Sequence, residues 1–199
     1  MVNTRSTTED IEYYKTSLAN ADNEIKTERE KGKALKDIVG KAYENHRKRV
    51  WEYFGFQVTK DKYDSLFDVD WAITWKNKLV ALEEDKGHYL DSCFLERALT
   101  GFAKTINNYQ KKSIIVPKLI IHSFTTYKKF QEKKMEDLDT RKAIIADEME
   151  KKIAYTTLTN SDRLPKNKWF GTCDNCYSDN VNIELISKDI LFIKSLMIE

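Results

Sequence analysis

The stretch from Asp68 to Lys86, DVDWAITWKNKLVALEEDK, constrains the fold more than any other part of the chain. Its first apolar run, 69–75, is mostly aromatic, β-branched or small, and a polar turn at 76–78 separates it from a second apolar run at 79–82. Two such runs around a short polar turn are typical of a β-hairpin. Because acidic residues stand at one end of both runs, the sequence predicts two neighbouring strands that end in charge.

The spacing of these acids and one lysine predicts a shared site. Side chains two residues apart on a strand point to the same face, and an adjoining strand lies roughly 4.8 Å away. We therefore expect Glu84 and Lys86 on one face, within reach of Asp70 or Asp68. Two carboxylates beside an ammonium suit a hard divalent metal such as Mg²⁺, which keeps several of its waters. The alternative is a solvated strand end with ordinary surface charges, since 33% of the residues are charged and Glu-x-Lys recurs elsewhere.

The flanking segments predict the elements around this hairpin. A helix is expected over about Lys33–Phe54; it ends at Gly55 and leads into a short strand at 56–58. Downstream, an amphipathic helix is predicted from about residue 90 to 109, followed by a buried strand within 113–124. A strand, a helix and a further strand imply a crossover that returns to the same sheet.

The order of these elements resembles the PD-(D/E)xK nuclease superfamily, and in particular its simplest members, such as the archaeal Holliday-junction resolvases. The resemblance covers about Leu35 to Phe124 and is one of pattern, with Val69 or Phe67 where the family name has Pro. It implies an α/β, restriction-endonuclease-like fold, with a mixed central sheet flanked by helices. It also implies a Mg²⁺-dependent endonuclease that hydrolyses DNA phosphodiester bonds, with Mn²⁺ as a substitute metal.

The resemblance also implies roles for individual residues. Asp70 and Glu84 would ligate one or two metal ions, aided by the main-chain carbonyl of Asp85. Lys86 would orient or polarise the attacking water. Asp68 is the alternative to Asp70, because both belong to one face of the predicted strand.

Further candidate site residues lie outside the acidic end of the hairpin. By the same resemblance, Glu44 of the predicted helix is an accessory metal ligand; otherwise it pairs with Lys41 or Lys48 at helical spacing. The candidate contacts to phosphates and bases are Arg47, Lys48, Arg49, Lys60, Lys62, Trp75, His88, Tyr89 and Lys104. A homodimer is expected, since such nucleases cut a duplex by presenting two sites.

Two other functions remain open at this point. The chain could be a non-catalytic helical adaptor or nucleic-acid-binding module whose acids merely sit on the edge of a sheet. It could also be an RNA-directed endonuclease of the same superfamily. Restriction, homing, junction resolution and repair are all compatible with the DNA-directed hypothesis.

The segments around the predicted core differ from it in pattern. Residues 1–32 are predicted as an N-terminal helical extension, 33–125 as the core, and 126–199 as a C-terminal extension that packs on the core. Within the last part, a long charged helix is expected over 127–153, and a strand with a closing helix over 181–197. A lone histidine, His122, is expected to be packed rather than catalytic.

The N-terminal extension carries its own helix signals. Ser6 and Glu9 form a capping-box pattern, and Gly32 marks a break before the next helix. A narrow apolar stripe with helical spacing follows the cap: Ile11, Tyr14, Leu18, Ala21 and Ile25. Such a stripe suits a helix that lies against a neighbouring helix or a second subunit.

Composition sets the class of the whole chain. With 199 residues, 41% of them apolar, it can bury one core, and its apolar runs are too short to span a membrane. Three cysteines do not make a disulfide framework, so we expect a soluble intracellular protein with no membrane partner. The net charge of +2 means that nucleic acid would be bound by a local basic patch. Cys173 and Cys176 have zinc-knuckle spacing, but a zinc site needs four ligands, so zinc is not expected there.

Overall fold

The protein is an α/β protein with three helices and one mixed sheet among the described residues. The computed structural model describes residues 7–33, 35–60, 69–86, 109, 111–112, 115, 117–123, 153–157 and 183–197. Its helices are α1 (Thr7–Glu30), α2 (Leu35–Tyr53) and α3 (Ile183–Ser195). Its strands are β1 (Gln57–Thr59), β2 (Trp71–Trp75), β3 (Lys78–Lys86), β4 (Lys118–Ser123) and β5 (Ile153–Thr157). The predicted α/β class with a mixed sheet is confirmed.

The five strands stand side by side in the order in which they occur in the chain. β1, β2 and β3 form an antiparallel meander, whereas β4 and β5 run parallel to β3. Antiparallel neighbours need only a short turn, but parallel neighbours need a crossover of a dozen or more residues. Residues 87–117 provide that length between β3 and β4, so the predicted return to the same sheet is confirmed. Apart from its last residue, the helix predicted there lies outside the described residues. That last residue, Tyr109, is helical and buried.

The predicted hairpin of β2 and β3 is confirmed, and its second strand includes Glu84 and Lys86 as expected. Lys76 and Asn77 form the turn, both with positive φ (49° and 66°), as two-residue hairpin turns of type I′ require. β3 does not stop at Leu82 but continues to Lys86, because residues 81–86 pair in parallel register with β4. The acids that follow the apolar run therefore belong to a strand that pairs with β4, and Glu83 also pairs with Trp71 of β2.

Both long helices end at a glycine, as predicted. At the end of α2, the Gly55 N–H donates to the Glu52 carbonyl at 2.9 Å, and the Phe56 N–H donates to the Trp51 carbonyl at 3.2 Å. This pair of bonds is the Schellman motif, which needs a left-handed residue, and Gly55 has φ +90°. The chain then turns directly into β1, which fixes the position of the C-terminal end of α2 relative to the sheet.

α1 and α3 contribute to the same hydrophobic core as α2 and the sheet. The predicted stripe of α1 is confirmed as a buried face, and it packs against α2. Of the strand and closing helix predicted for 181–197, the helix is confirmed as α3, and residues 183–197 form no strand. The buried apolar residues that these two helices provide are Tyr14, Leu18, Ala21, Ile25, Ile186, Ile190, Ile193 and Leu196. Both ends of the described chain therefore help to form one interior.

One predicted element boundary is wrong. The long charged helix was expected to run to Ile153, but Ile153 is the first residue of β5. The β-branched and aromatic residues of this short segment, IAYTT, favour a strand, and pairing with β4 provides the hydrogen bonds that a strand needs. The rest of that predicted helix lies outside the described residues.

Two neighbouring residues of α3 test whether this helix belongs to the core. We expect Ile190→Ala to lower the free energy of unfolding by about 2–4 kcal/mol, because Ile190 is 1% exposed and its loss leaves a cavity. Leu191→Ala is the matched control, since Leu191 is 64% exposed, and it should change stability by less than about 0.5 kcal/mol. Urea unfolding monitored by circular dichroism measures both. Equal effects would show that α3 is not packed as described.

Candidate functional site

Three consecutive acids near the end of β3 are divided between the two faces of the sheet. Glu83 and Asp85 are buried, whereas Glu84 between them is half-buried. Side chains alternate along a strand, so Glu83 and Asp85 share the face that packs against α2, and Glu84 belongs to the opposite face. Two carboxyl groups in the interior therefore require hydrogen-bond partners or counter-charges.

Glu83 is compensated by the guanidinium group of Arg47 on α2. Arg47 Nε donates to Glu83 Oε1 at 2.6 Å, and Arg47 Nη2 donates to Glu83 Oε2 at 2.8 Å. This is the two-point fork that arginine makes with carboxylates, and both side chains are fully buried. Trp51, one turn further along α2, adds a third hydrogen bond from its indole N–H to Glu83 Oε2 at 3.1 Å. Glu83 is thus fixed against α2 through both oxygens.

The remaining side of the same guanidinium group binds the two other helices. Arg47 Nη1 donates to Asp189 Oδ2 of α3 at 2.5 Å and to the Tyr14 hydroxyl of α1 at 2.9 Å. The Tyr14 hydroxyl in turn donates to Asp189 Oδ2 at 2.7 Å. We call Arg47, Glu83, Asp189 and Tyr14 the Arg47 cluster. Burial raises the pKa of Tyr14 and of Asp189, while the nearby Arg47 charge opposes the shift at Asp189.

His122 of β4 lies beside this cluster. It stands opposite Asp85 in the parallel register, and its side chain is fully buried, which confirms the prediction of a packed histidine. Its Nε2 is 3.4 Å from the Tyr14 hydroxyl, and its Nδ1 is 3.8 Å from Asp85 Oδ1. Burial, followed by the positive charge of Arg47, lowers the pKa of His122. The imidazole is therefore neutral near pH 7.

Asp85 contacts the start of β2 through its side chain. Its Oδ2 accepts a hydrogen bond from the indole N–H of Trp71 at 2.9 Å. Burial raises the pKa of Asp85 well above its usual value, and the negative charges of Glu83 and Asp70 raise it further. The Asp85 carboxyl thus holds its proton to a higher pH than a free aspartic acid does.

Asp70 lies directly before β2, at the edge where β2 and β3 begin to separate. Its Oδ2 accepts a hydrogen bond from the backbone N–H of Asp85 at 2.7 Å. β2 pairs with β3 so that Trp71 stands opposite Glu83, and one more step in this register places Asp70 opposite Glu84. Directly opposite residues of an antiparallel pair have Cβ atoms about 4.5–5.5 Å apart on one face. We call Asp70, Glu84 and the backbone of Asp85 the Asp70 rim.

Glu44, the predicted accessory ligand, is engaged elsewhere. Its carboxylate forms an ion pair with Lys60, which follows β1, and not with Lys41 or Lys48 as the helical spacing suggested. Lys60 also stands 4.9 Å from the ring of Trp71. The Glu44–Lys60 pair therefore connects α2 to the strand layer.

The predicted nucleic-acid contact at Arg47 is wrong. Arg47 is fully buried and binds Glu83, Asp189 and Tyr14, so a phosphate group does not reach it in this structure. The periodicity of α2 explains the error, because Arg47 follows the buried Tyr43 by one helical turn and belongs to the inner face.

The other described members of the predicted contact set occupy different environments. Lys48 is exposed and pairs with Glu52 at 3.6 Å. Arg49 is half-buried and pairs with Glu24 of α1 at 2.6 Å. Trp75 is half-buried, and its ring packs against Phe56 with a centroid distance of 4.9 Å. Of these three side chains, Lys48 is the most open to a ligand.

Several predicted site residues are not described. Lys86 is described only as the last residue of β3, paired with Ser123 in the parallel register. The predicted residues outside the described part are Asp68, Lys62, His88, Tyr89, Lys104, Cys173 and Cys176. Within the described ranges, no group of three or more His, Cys, Asp or Glu side chains is arranged to hold a metal ion. Among the same residues, no helix combines the length and apolarity needed to cross a membrane.

Reasoning from the sequence missed the Arg47 cluster, although part of its signal was present. Arg47 continues the one-turn spacing of Val39 and Tyr43 on the buried face of α2. Asp189 lies on the stripe of apolar residues Ile186, Ile190 and Ile193 of α3, which is the pattern of a charge that is buried with a partner. The identity of the partner is not encoded locally, since Arg47 and Asp189 are 142 residues apart.

The fold and the site together define an α/β protein with a mixed sheet, a buried ion-pair cluster and an acidic rim where β2 meets β3. Comparison of the chain with protein-family models, with curated proteins and with solved structures finds no match.

Replacing Arg47 tests whether it neutralises the interior. We expect Arg47→Met to lower the free energy of unfolding by about 3–5 kcal/mol, because Glu83 and Asp189 would remain buried without a counter-charge. Lys48→Met at the adjacent, exposed position is the control and should cost less than about 1 kcal/mol. Urea unfolding of both variants decides the question, and similar losses would contradict the cluster.

The raised pKa of Asp85 predicts a specific pH dependence. Its pKa is higher in the folded than in the unfolded protein, so the folded state binds more protons above about pH 4. The stability that this group contributes is therefore full below the unfolded pKa and is lost as the pH rises through the folded pKa. Asp85→Asn abolishes this titration, so the stability of the variant minus that of the wild type should increase from pH 4 to pH 8. Urea unfolding across this range measures the difference, and a decrease would refute the shift.

Proposed function

We propose that this chain is a metal-dependent endonuclease that hydrolyses DNA phosphodiester bonds at the Asp70 rim. The observation that carries the proposal is the 2.7 Å hydrogen bond between Asp70 Oδ2 and the Asp85 N–H. Together with the strand register, this bond supports a site in which the half-buried carboxylates of Asp70, just before β2, and of Glu84 on β3 lie next to each other. Lys86 follows Glu84 by two residues, which is the Glu-x-Lys pattern of the resemblance.

The arrangement of the elements also supports the proposal. α2 is followed by three antiparallel strands and then by β4, which is parallel to β3. The resemblance to the PD-(D/E)xK nucleases led us to expect the same order of helix, three strands and a returning strand. We therefore propose the restriction-endonuclease-like fold as the finer class of this α/β protein.

The chemistry of the rim suits a small hard cation. Mg²⁺ is commonly held by one or two carboxylates, with waters and substrate phosphate oxygens completing its octahedron. Asp70 and Glu84, with the main-chain carbonyl of Asp85, are the residues that would hold it. A bound ion of this kind would supply positive charge to the phosphate and would lower the pKa of a water. Glu44 is not required, since Lys60 already neutralises it.

The residues of the chain have separate tasks in this mechanism. Asp70 and Glu84 provide the negative charge that concentrates a cation at the rim, and the Asp85 N–H fixes one oxygen of Asp70. Lys86 is proposed to orient the attacking water and to balance charge at the phosphate. The Arg47 cluster contacts no substrate; it anchors β3 one residue before Glu84, through Glu83.

DNA would be bound by basic side chains of the predicted contact set. Lys48 and Lys60 are the described members of the predicted set with the most exposed side chains, although each has an ion-pair partner. Exchange of such surface partners for phosphate oxygens costs little, because exposed ion pairs are weak. A homodimer with two rims is proposed for cleavage of both strands.

A cleavage assay tests the proposed activity. We expect the purified protein to nick or cut supercoiled plasmid or branched DNA with Mg²⁺ or Mn²⁺ but not with EDTA. Asp70→Asn and Glu84→Gln should each reduce the rate by about 100-fold or more, because each removes a charged metal ligand, and Lys86→Ala should also reduce it. Glu184→Gln is the matched control, since Glu184 on α3 is exposed and forms a surface ion pair with Lys188.

Other outcomes of the same assay separate the remaining functions. Undiminished cutting by both Asp70→Asn and Glu84→Gln would contradict the proposed site. Preference for single-stranded RNA would favour the RNA-directed endonuclease. Binding of nucleic acid without metal-dependent cleavage would favour the non-catalytic module.

A further inference from the structure

Asp85 contacts the start of β2 at two consecutive residues. Its carboxyl accepts a hydrogen bond from the Trp71 indole, and its backbone N–H donates to the carboxylate of Asp70. One contact lies on the buried face of the sheet and the other at the rim. Asp85 therefore holds both Asp70 and the residue after it.

We propose that Asp85 is a positioning residue for the Asp70 rim. By holding Trp71 on the buried face, its side chain fixes the start of β2, so that Asp70 remains bonded to the Asp85 N–H and opposite Glu84. The catalytic meaning of this role rests on the proposed function, but the role itself is a matter of geometry that can be measured without catalysis.

The environment of Asp85 supports this role. A carboxyl group in the interior is costly unless it makes hydrogen bonds that an apolar residue does not make. Trp71 donates to Asp85 Oδ2 at 2.9 Å, whereas Asp85 Oδ1, 3.8 Å from His122 Nδ1, has no hydrogen-bond partner among the described residues. Trp71 is 3% exposed, and a buried indole N–H needs an acceptor. The Trp71 indole N–H and the Asp85 carboxyl thus satisfy each other's need for a hydrogen-bond partner in the interior.

The contact with Trp71 requires a hydrogen-bond acceptor at position 85 and not a charge. The amide oxygen of asparagine is an equivalent acceptor without a charge, whereas leucine has a similar shape and no acceptor. Asp85→Asn should therefore keep the contact with Trp71, and Asp85→Leu should lose it.

Amide hydrogen exchange tests the geometry directly. In Trp71→Phe, which keeps an aromatic ring but lacks the donor, we expect the Asp85 amide to exchange about tenfold faster, as for the loss of one hydrogen bond to a buried carboxyl. Tyr43→Phe is the matched control, because it removes one buried hydrogen bond to a carboxylate, that to Asp22, away from the rim. Tyr43→Phe should leave Asp85 exchange unchanged. Unchanged exchange in Trp71→Phe would overturn the proposal.

Binding of Mn²⁺, measured by electron paramagnetic resonance, and steady-state cleavage supply the functional readout. Asp85→Leu and Trp71→Phe should each weaken Mn²⁺ binding about tenfold and lower kcat at unchanged KM for DNA, whereas Asp85→Asn should be impaired several-fold less than Asp85→Leu. Equal impairment of Asp85→Asn and Asp85→Leu would overturn the proposal, because charge would then be the determinant. If wild type binds no Mn²⁺ while the exchange results are as expected, the proposed function fails and the positioning role of Asp85 stands.

Discussion

The fork between Arg47 and Glu83 is the interaction on which the rest of the described structure depends. A guanidinium and a carboxylate without access to water are stable only with near-ideal geometry and with partners for their remaining hydrogen-bonding groups. Here Trp51 binds the carboxylate, and Tyr14 and Asp189 bind the free side of the guanidinium. The cost of burying these charges is offset only when α1, α2, α3 and β3 are all in place, which favours a single arrangement over looser alternatives.

This anchor has a consequence for the opposite face of β3. Because side chains alternate along a strand, fixing Glu83 and Asp85 on the helical side leaves Glu84 on the other side, beside Asp70. The half-buried rim thus owes its shape to fully buried residues that do not take part in it. A rigid support of this kind is what a metal site needs, since binding is strongest when the ligands are already in position.

Much of the fold could be predicted because its signals are local. The turn at Lys76 and Asn77, the left-handed helix ends at Gly32 and Gly55, and the apolar stripe of α1 are each determined by a few neighbouring residues. The end of the charged helix was misplaced, because at Ile153 strand pairing prevailed over a helical pattern that continued from upstream.

The candidate site also has one part that could be predicted from the sequence and one part that could not. The hairpin pattern predicted that Asp70 and Glu84 lie near each other. The two-residue turn alone would place Asp70 opposite Glu83, and the register shift between Ile73 and Thr74, which adds one residue to β3, moves it opposite Glu84. The buried position of Arg47 could not be predicted from the sequence, since its partners come from positions 36 and 142 residues away. A run of four basic or histidine residues also resembles a surface patch. Burial of charge is decided by tertiary partners that no short stretch of sequence specifies.

The most direct test of the proposed metal site is the anomalous scattering from a crystal of the protein soaked in Mn²⁺. The proposal predicts a peak within about 2.5 Å of a carboxylate oxygen of both Asp70 and Glu84. A fully soaked crystal with no peak between these two side chains, or with its only peak elsewhere, would contradict it.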